Sequence, residues 1–484
     1  MIVIKHSPIK SVLLGNGINI QFGGRAYSNR FIMSRIVFNA RCGKYDTLFK
    51  DPVSGKEIED IFRGLLPTAN DVLAGKYDNL GIVDNEIIKA IVEFKNQNSN
   101  RSRFEHYYDI PLEDWFLLLR LFFLSNIDLI DKWDASKQGF EWMILDAIYN
   151  DGKIQDIYLK KNKMNKSVRR FFKSFDSIFT LNYDNNIEKL TKKTVYHLHG
   201  DYSVLSDSLN PETVLGFLCA QNEHTFMIPE YRHCFCNALL NFSGNAKLIE
   251  AQKKLNFIKE LQELKKLWET DTNEFQARLG AEKAEIATSI NTYIAHPDLD
   301  IATDYHFSEL ENLSGELHII GLSPKNDSHI FACIDRSSVD KVIFYYNSKE
   351  PKELPLNKPY ICESIQSKWK SLNVKTPKYN CSSRSYLNSS NTESALELTN
   401  ILSFDPITRT ELKEGLKATP DFIAAPLCQE AIKLMKLQEK PTEETLEKHF
   451  MEVSRIALRE GILPPVFYLL LINYMKHQNT EHKT

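Results

Sequence analysis

The chain has 484 residues, 43% of them hydrophobic, which is enough to bury a large core in two or three domains. Its formal net charge is -3 and its pI is about 6.5, so composition gives no electrostatic case for a nucleic acid or a membrane as a direct partner. Eight cysteines are too few for a disulfide framework, and the first residues lack the apolar core of a signal peptide. We therefore expect reduced thiols and a cytoplasmic location.

Five apolar runs rich in β-branched residues predict the strands of a buried parallel sheet. They are residues 11–15, 177–182, 194–199, 316–321 and 341–347. Helical patterns lie between several of them. We therefore expect an α/β fold with a Rossmann-like open parallel sheet, whose ligand lies at the carboxyl ends of the strands.

Two long helical insertions are expected within the sheet, at about 25–175 and 246–291. The second is amphipathic and highly charged, which is typical of a solvated helix packed by one stripe, with a lid or partner-binding arm as the alternative. The most apolar stretches, 115–130 and 462–475, are interrupted by charges or too short to span a bilayer. We expect both to be buried helices.

Composition also predicts the domain organisation. Residues 1–376 are expected to form the sheet domain with its insertions, and residues 377–398 a Ser/Asn-rich linker. Residues 399–484 carry helical periodicity and predict a helix-rich C-terminal region.

A glycine-rich turn follows the first predicted strand, in the segment VLLGNGINIQFGG at 12–24. Gly15 and Gly17 would let the backbone approach a ligand closely, and the following helix would offer N–H groups to a pyrophosphate. Alone this signal is weak, because a glycine after a strand is often only a tight turn.

Polar groups follow the next two predicted strands. Asn182 and Asp184 are two residues apart and can face one side of an extended tip, where the amide could orient water and the carboxylate could accept hydrogen bonds from a carboxamide. His199 precedes Gly200, where the chain must turn, whereas His197 lies earlier in the strand and is expected to be packed. An amide, a carboxylate and an imidazole at strand ends suit chemistry on a dinucleotide.

Five segments, taken together and in this order, resemble the signatures of the sirtuin-like NAD-binding family. They are GNGIN (15–19), TLNYDNNIE (180–188), HLHG (197–200), GLSPKND (321–327) and FYYN (344–347). The resemblance covers roughly residues 8–350 without the helical insertions.

The resemblance implies NAD as the substrate and a role for each matching position. Contacts to the phosphates and riboses are implied for Gly15, Asn16, Gly17, Asn19, Gly321, Ser323 and Asn347. It also implies that Asn182 positions water or ribose at the glycosidic carbon, that Asp184 holds the nicotinamide carboxamide, and that His199 is the general base.

The chain departs from the family pattern in several places. Asn16, Asn19 and Leu181 stand where the family usually has Ala, Ser and Gln. Deacylating members hold a structural zinc with two Cys-x-x-Cys pairs after the His-Gly pair, and this chain has none. The interval contains Cys219, His224, His233, Cys234 and Cys236. We expect buried free thiols and no metal, with an atypical zinc site as the alternative.

These departures are similar to those of zinc-less bacterial anti-phage sirtuin-like NADases, and also to the abortive-infection H group. The similarity implies an NAD glycohydrolase that is triggered during infection and controlled by homo-oligomerisation or by a partner defence protein. A non-catalytic sensor of NAD or an ADP-ribose derivative is the alternative. A protein deacylase is disfavoured by the missing zinc pairs.

Overall fold

The computed structural model describes residues 9–49, 53–78, 85–157, 165–221, 227–347, 349–351, 353–374, 408–419, 421–435 and 449–481. The protein is mixed α/β and contains a six-stranded sheet in which every pair of neighbouring strands is parallel. The strands are β1 Lys10–Leu14, β2 Ser177–Thr180, β3 Tyr196–His197, β4 Ser314–Ile320, β5 Ser338–Tyr346 and β6 Tyr360–Ser364. The predicted parallel sheet is thus confirmed.

All five predicted strands are present, and β6 is the strand that the sequence did not predict. It lies at one edge of the sheet, where Tyr360 and Ile361 are exposed. An edge strand that is solvated on one side lacks the continuous apolar run by which buried parallel strands are recognised.

The spatial order of the strands is β3-β2-β1-β4-β5-β6. Strand β1 pairs with β2 on one side and with β4 on the other, so the order reverses beside β1. In open parallel sheets such a reversal opens a crevice at the carboxyl ends of the two central strands.

Helices account for most of the remaining described residues. They are α1 Gly17–Gly23, α2 Asn29–Arg41, α3 Gly55–Leu73, α4 Asn85–Gln97, α5 Asp114–Ser125, α6 Trp133–Tyr149, α7 Asn165–Lys173, α8 Asn186–Thr191, α9 Val214–Gln221, α10 Asn245–Thr270, α11 Thr272–Ala281, α12 Ala284–Ala295, α13 Phe307–Glu311, α14 Ser328–Arg336, α15 Ile365–Ser371, α16 Arg409–Ala418, α17 Asp421–Leu434, α18 Phe450–Arg459 and α19 Pro464–Glu481. The segments predicted as insertions and as the C-terminal region contain these helices, joined by turns and loops, while the predicted linker lies outside the described residues.

The chain divides into two compact units. The first comprises Met1–Ile18, Leu48–Lys50 and Phe62–Val374 and contains the whole sheet, whose core is built on residues such as Leu13, Leu317 and Phe344. The second comprises Asn19–Thr47, Asp51–Ile61 and Lys375–Thr484. The predicted insertion at 25–175 is therefore divided between the units.

Helix α2 belongs to the second unit because it packs on the C-terminal helices. The Arg35 guanidinium is buried and donates to the carbonyls of Ala26 at 2.7 Å and Leu458 at 3.2 Å. Phe31 and Phe38 pack around Leu458 in one apolar cluster. Two segments more than 400 residues apart thus share one core.

The two most apolar stretches form buried helices, as predicted. Trp115 and Leu118 of α5 and Val466 and Leu471 of α19 are fully buried. Among the described helices none is by itself long and apolar enough to cross a membrane. The pair Phe450–Arg459 and Pro464–Met475 reaches that length only together and is bent by 108°.

Candidate functional site

The carboxyl edge of the sheet collects the polar groups that the sequence singled out. Gly15 follows β1, while Asn182 and His199 each lie two residues beyond the ends of β2 and β3. Ser323 and Asn347 follow β4 and β5. Because all strands are parallel, these positions lie along one edge.

The glycine turns after β1 and β4 pack directly on each other. The N–H of Gly15 donates to the Ile320 carbonyl at 2.9 Å, and that of Gly17 donates to the Gly321 carbonyl at 3.0 Å. A Cβ on Gly15 would lie 2.6 Å from the Gly321 oxygen, and Gly321 itself has a φ of +79°. These glycines therefore serve close packing of two backbones, and both N–H groups have protein acceptors in this structure.

Asn182 joins the end of β2 to the glycine turn. Its side-chain amide donates to the Gly15 carbonyl at 3.4 Å, and its backbone N–H donates to the Thr180 hydroxyl at 3.1 Å. The residue is 9% exposed. The structure thus brings together two of the predicted site positions.

Asp184 has a local structural role. One carboxylate oxygen accepts the backbone N–H of Asn186 at 3.1 Å and also the Asn186 side-chain amide. A carboxylate that accepts the N–H of the residue two positions ahead forms an Asx turn. Here the turn leads into α8, whose first residue is Asn186. The proposed contact of Asp184 with a carboxamide stays a prediction.

His197 is packed, as expected from its place in the strand, and it is held by carboxylates. Its Nδ1 donates to the Asn182 carbonyl at 2.9 Å, and its Nε2 lies 2.6 Å from Glu188 and 3.5 Å from Asp201. Burial lowers the pKa of His197, but the hydrogen bond to Glu188 and the charges of Asp201 and Glu188 raise it to about 9.

Replacing Glu188 by Gln is expected to flatten the pH dependence of stability above pH 6.5. The folded state holds the His197 proton up to about pH 9, whereas the unfolded chain releases it near 6.5. The contribution of His197 to the free energy of unfolding of the natural protein should therefore fall by about 1.4 kcal/mol per pH unit between pH 6.5 and about 9. Urea unfolding at pH 6.5, 8 and 9.5 measures it. Glu212→Gln, at an exposed position, is the control, and equal slopes in both variants would contradict the prediction.

His199 is buried and both of its ring nitrogens contact protein groups. It is 4% exposed, and its Nε2 lies 3.1 Å from Nε2 of His329, whose ring is within 15° of parallel to it with the ring centroids 5.3 Å apart. Its Nδ1 lies 3.4 Å from the Nζ of Lys247. Burial, followed by the charges of Lys247 and His329, holds the pKa of His199 well below its ordinary value.

Two helices supply the partners of His199. Lys247, on the first turn of α10, is 1% exposed and forms an ion pair with Glu113, which precedes α5. His329, on α14, is also buried, and its Nδ1 has no hydrogen-bond partner among the described residues. Burial and the Lys247 charge lower the pKa of His329 to about 3.

The remaining predicted contacts are spread along the same edge of the sheet. The Ser323 N–H donates to a carboxylate oxygen of Asp327 at 2.8 Å, and burial raises the pKa of Asp327 to about 6. The Asn347 side-chain oxygen accepts from Gln366 at 2.7 Å. Asn16 is exposed at the glycine turn. Asn19 is buried and belongs to the second unit, and its predicted contact with NAD stays a prediction.

The cysteine-containing interval also forms a cluster. Cys219, Cys234 and Cys236 are free thiols, and His224 lies outside the described residues. His233 approaches Asp146 at 3.0 Å, and Cys234 donates to a backbone carbonyl at 3.2 Å. Asp146, His233 and Cys234 are close enough to share an ion, but the hydrogen bonds of His233 to Asp146 and of Cys234 to the backbone explain their proximity without a metal.

An open groove of about 1010 Å³ borders the site. It is lined by α4, by the first turns of α10 and by Pro324 and Lys325 in the loop after β4. Ile88, Val92 and Ile249 form exposed apolar parts of its wall. The groove therefore adjoins two elements, α10 and the Ser323 loop, that contribute to the site.

Glu113, Lys247 and His329 are site residues that the sequence analysis missed. Lys247 could have been suspected, because it lies four residues before Ala251 on the stripe that continues to Leu261 and Leu264, which α10 buries. A lysine in such a stripe must find a partner for its charge. His329 could have been suspected for the same reason, because it lies next to the buried apolar residues of α14.

Comparison of the chain with protein-family models, curated proteins and solved structures gives no match.

Proposed function

We propose that this chain is an NAD glycohydrolase, which uses water to cleave the nicotinamide–ribose bond and releases nicotinamide and ADP-ribose. One observation carries the proposal: the Asn182 amide lies against Gly15 where the strand order reverses beside β1. Doubly wound, Rossmann-like sheets with this strand order bind dinucleotides in the crevice at that reversal. The resemblance of the sequence motifs to sirtuin-like proteins points to the same ligand.

Cleavage of the nicotinamide–ribose bond does not need a strong general acid. Nicotinamide leaves as a neutral pyridine, and the transition state resembles an oxocarbenium ion, as in glycoside cleavage. The protein must orient water and stabilise developing charge with fixed dipoles. In the proposed mechanism Asn182 orients the water or a ribose hydroxyl, Asp184 holds the carboxamide, and His199 takes the proton.

We propose further that the enzyme acts in anti-phage defence by abortive infection, in the cytoplasm. Uncontrolled hydrolysis of NAD would kill the cell, so activity must be withheld until infection. A homo-oligomer or a complex with a partner defence protein would provide that control. The burial of His199 and its contacts with protein groups support a resting state.

Asn182→Ala and His199→Ala are each expected to lower the rate of nicotinamide release by about 100-fold or more, since one removes the group that orients water and the other removes the base. The assay measures nicotinamide released from NAD by purified protein, with and without lysate from phage-infected cells. His296→Ala, at an exposed histidine on the end of α12, is the matched control. If both site variants released nicotinamide as fast as the natural protein, the roles assigned to Asn182 and His199 would be wrong.

A non-catalytic sensor of NAD or an ADP-ribose derivative is the second candidate. The contacts of both His199 ring nitrogens with protein groups favour it, because such a histidine takes no proton from a substrate in this state. Calorimetry would distinguish the two. Binding of NAD that is lost in Asn182→Ala, without nicotinamide release under either lysate condition, would establish the sensor.

A further inference from the structure

Hydrogen-bonding rules fix the protons in the chain of contacts that runs from the partly exposed Glu113 through the buried Lys247 and His199 to His329. A lysine ammonium donates and cannot accept. The Glu113 carboxylate and the Nδ1 of His199 are therefore the acceptors for Lys247. Nδ1 of His199 accordingly has no proton, and the neutral ring carries its proton on Nε2.

The same rule extends to His329. The Nε2–H of His199 donates to Nε2 of His329 across 3.1 Å, so that nitrogen is an acceptor. The proton of His329 then lies on Nδ1, the atom without a hydrogen-bond partner among the described residues. One ammonium thus sets the tautomers of two imidazoles.

This arrangement prevents His199 from acting as a base. Its Nε2 already carries a proton, and the lone pair of Nδ1 accepts from Lys247. A second proton on the ring would have to replace that hydrogen bond and would lie beside an ammonium. The proton of a ribose hydroxyl or of water has no acceptor on this ring while Lys247 remains in place.

We propose that Lys247 is a positioning residue that holds His199 in the neutral tautomer protonated at Nε2 and so withholds its function as a base until Lys247 is displaced. When Lys247 leaves, the Nδ1 lone pair becomes free to take a proton from a hydroxyl group, and the ring becomes an imidazolium. The claim about the tautomer stands on geometry alone, whereas the claim about the base rests on the proposed function.

The position of Lys247 suits a contact that an external event can break. Lys247 lies on the first turn of α10, within the helical insertion, and not on the sheet. Neighbouring residues of that helix, Ala246, Ile249 and Lys253, line the open groove. Among the described residues, Lys247 from α10 is the charged side chain that acts on both imidazoles, while Glu113 and Asp327 lie close enough to influence one another and Lys247. A shift of α10 alone would separate Lys247 from His199.

The first test is titration of the histidine ring signals by NMR, with the His199 signal assigned by its loss in His199→Ala. In the natural protein the midpoint of this signal should lie well below that of an ordinary histidine. In Lys247→Met its midpoint should rise by one pH unit or more, because the adjacent cation and the hydrogen bond to Nδ1 are gone. Lys247→Arg retains a cation that only donates and should behave like the natural protein. Lys253→Met, at an exposed lysine on the same helix, is the matched control.

The second test is nicotinamide release from NAD by the same full-length variants without infected lysate. Lys247→Met should raise basal turnover tenfold or more and should show an acidic limb that follows the new His199 midpoint. A His199 titration that is the same in Lys247→Met and in the natural protein overturns the inference. So does a Lys247→Met variant that turns over NAD more slowly than the natural protein. A shifted titration with no release by any variant, even with infected lysate, supports the tautomer assignment and counts against the glycohydrolase.

Discussion

Gly321→Ala is expected to lower the free energy of unfolding by about 2 to 5 kcal/mol. The residue has a φ of +79°, which costs an L-residue about 1 to 2 kcal/mol. The new Cβ would also lie 2.7 Å from the backbone nitrogen of Ile18 and 2.9 Å from the Gly15 oxygen. Both neighbours are backbone atoms of the turn after β1, so they cannot rotate away as a side chain would.

Urea unfolding of the purified variant measures this loss, and Gly280→Ala provides a control with the opposite expectation. Apart from its chain neighbours and the backbone of its own helix α11, no atom of the described part of the chain lies within 4 Å of a Cβ placed on Gly280. Alanine in that helix should stabilise the protein by about 0.5 to 1 kcal/mol. If Gly321→Ala proved as stable as Gly280→Ala, the two glycine turns would not be packed on each other as described.

Asp114→Asn is expected to stabilise the protein increasingly as the pH rises from 4 to 8. Asp114 is 4% exposed, and one of its carboxylate oxygens has no hydrogen-bond partner among the described residues. Burial, followed by the charges of Glu113 and Glu93, raises its pKa from 3.8 to about 8. An acid in the first turn of a helix usually gains from the helix dipole, but here burial beside two carboxylates outweighs that gain.

The sign follows from proton linkage. Above pH 4 the unfolded chain loses the Asp114 proton while the folded protein keeps it up to about pH 8. The natural protein therefore loses about 1.4 kcal/mol of unfolding free energy per pH unit from this group. The Asn variant has no such term, so the stability difference between the two proteins should grow with pH.

Urea unfolding at pH 5, 6.5 and 8 measures that difference. Asp128→Asn makes the same chemical change at an exposed position and should differ from the natural protein by less than about 0.5 kcal/mol at each pH. A difference for Asp114→Asn that stays constant across the three pH values would show that its carboxyl group ionises normally in the folded protein.

The sequence by itself determined the sheet and the edge along which the predicted site residues lie. Apolar, β-branched runs are typical of strands buried on both faces, so strands β1 to β5 and their parallel arrangement could be predicted. The positions of Gly15, Asn182 and His199 after strand ends placed them on one edge, because parallel strands all end there. The buried helices α5 and α19 followed from their continuous apolar sequences.

The tertiary structure alone decided which groups meet. A local pattern shows that Lys247 and His329 lie on buried faces of α10 and α14, but it does not show that these faces converge on His199. It likewise gives no sign that Arg35 reaches the carbonyl of Leu458, or that Gly15 and Gly321 are needed for each other. The spacing of apolar residues along a helix or strand indicates which side chains are buried. The partner against which it is buried depends on contacts between residues far apart in the chain, and those are fixed only when the elements pack.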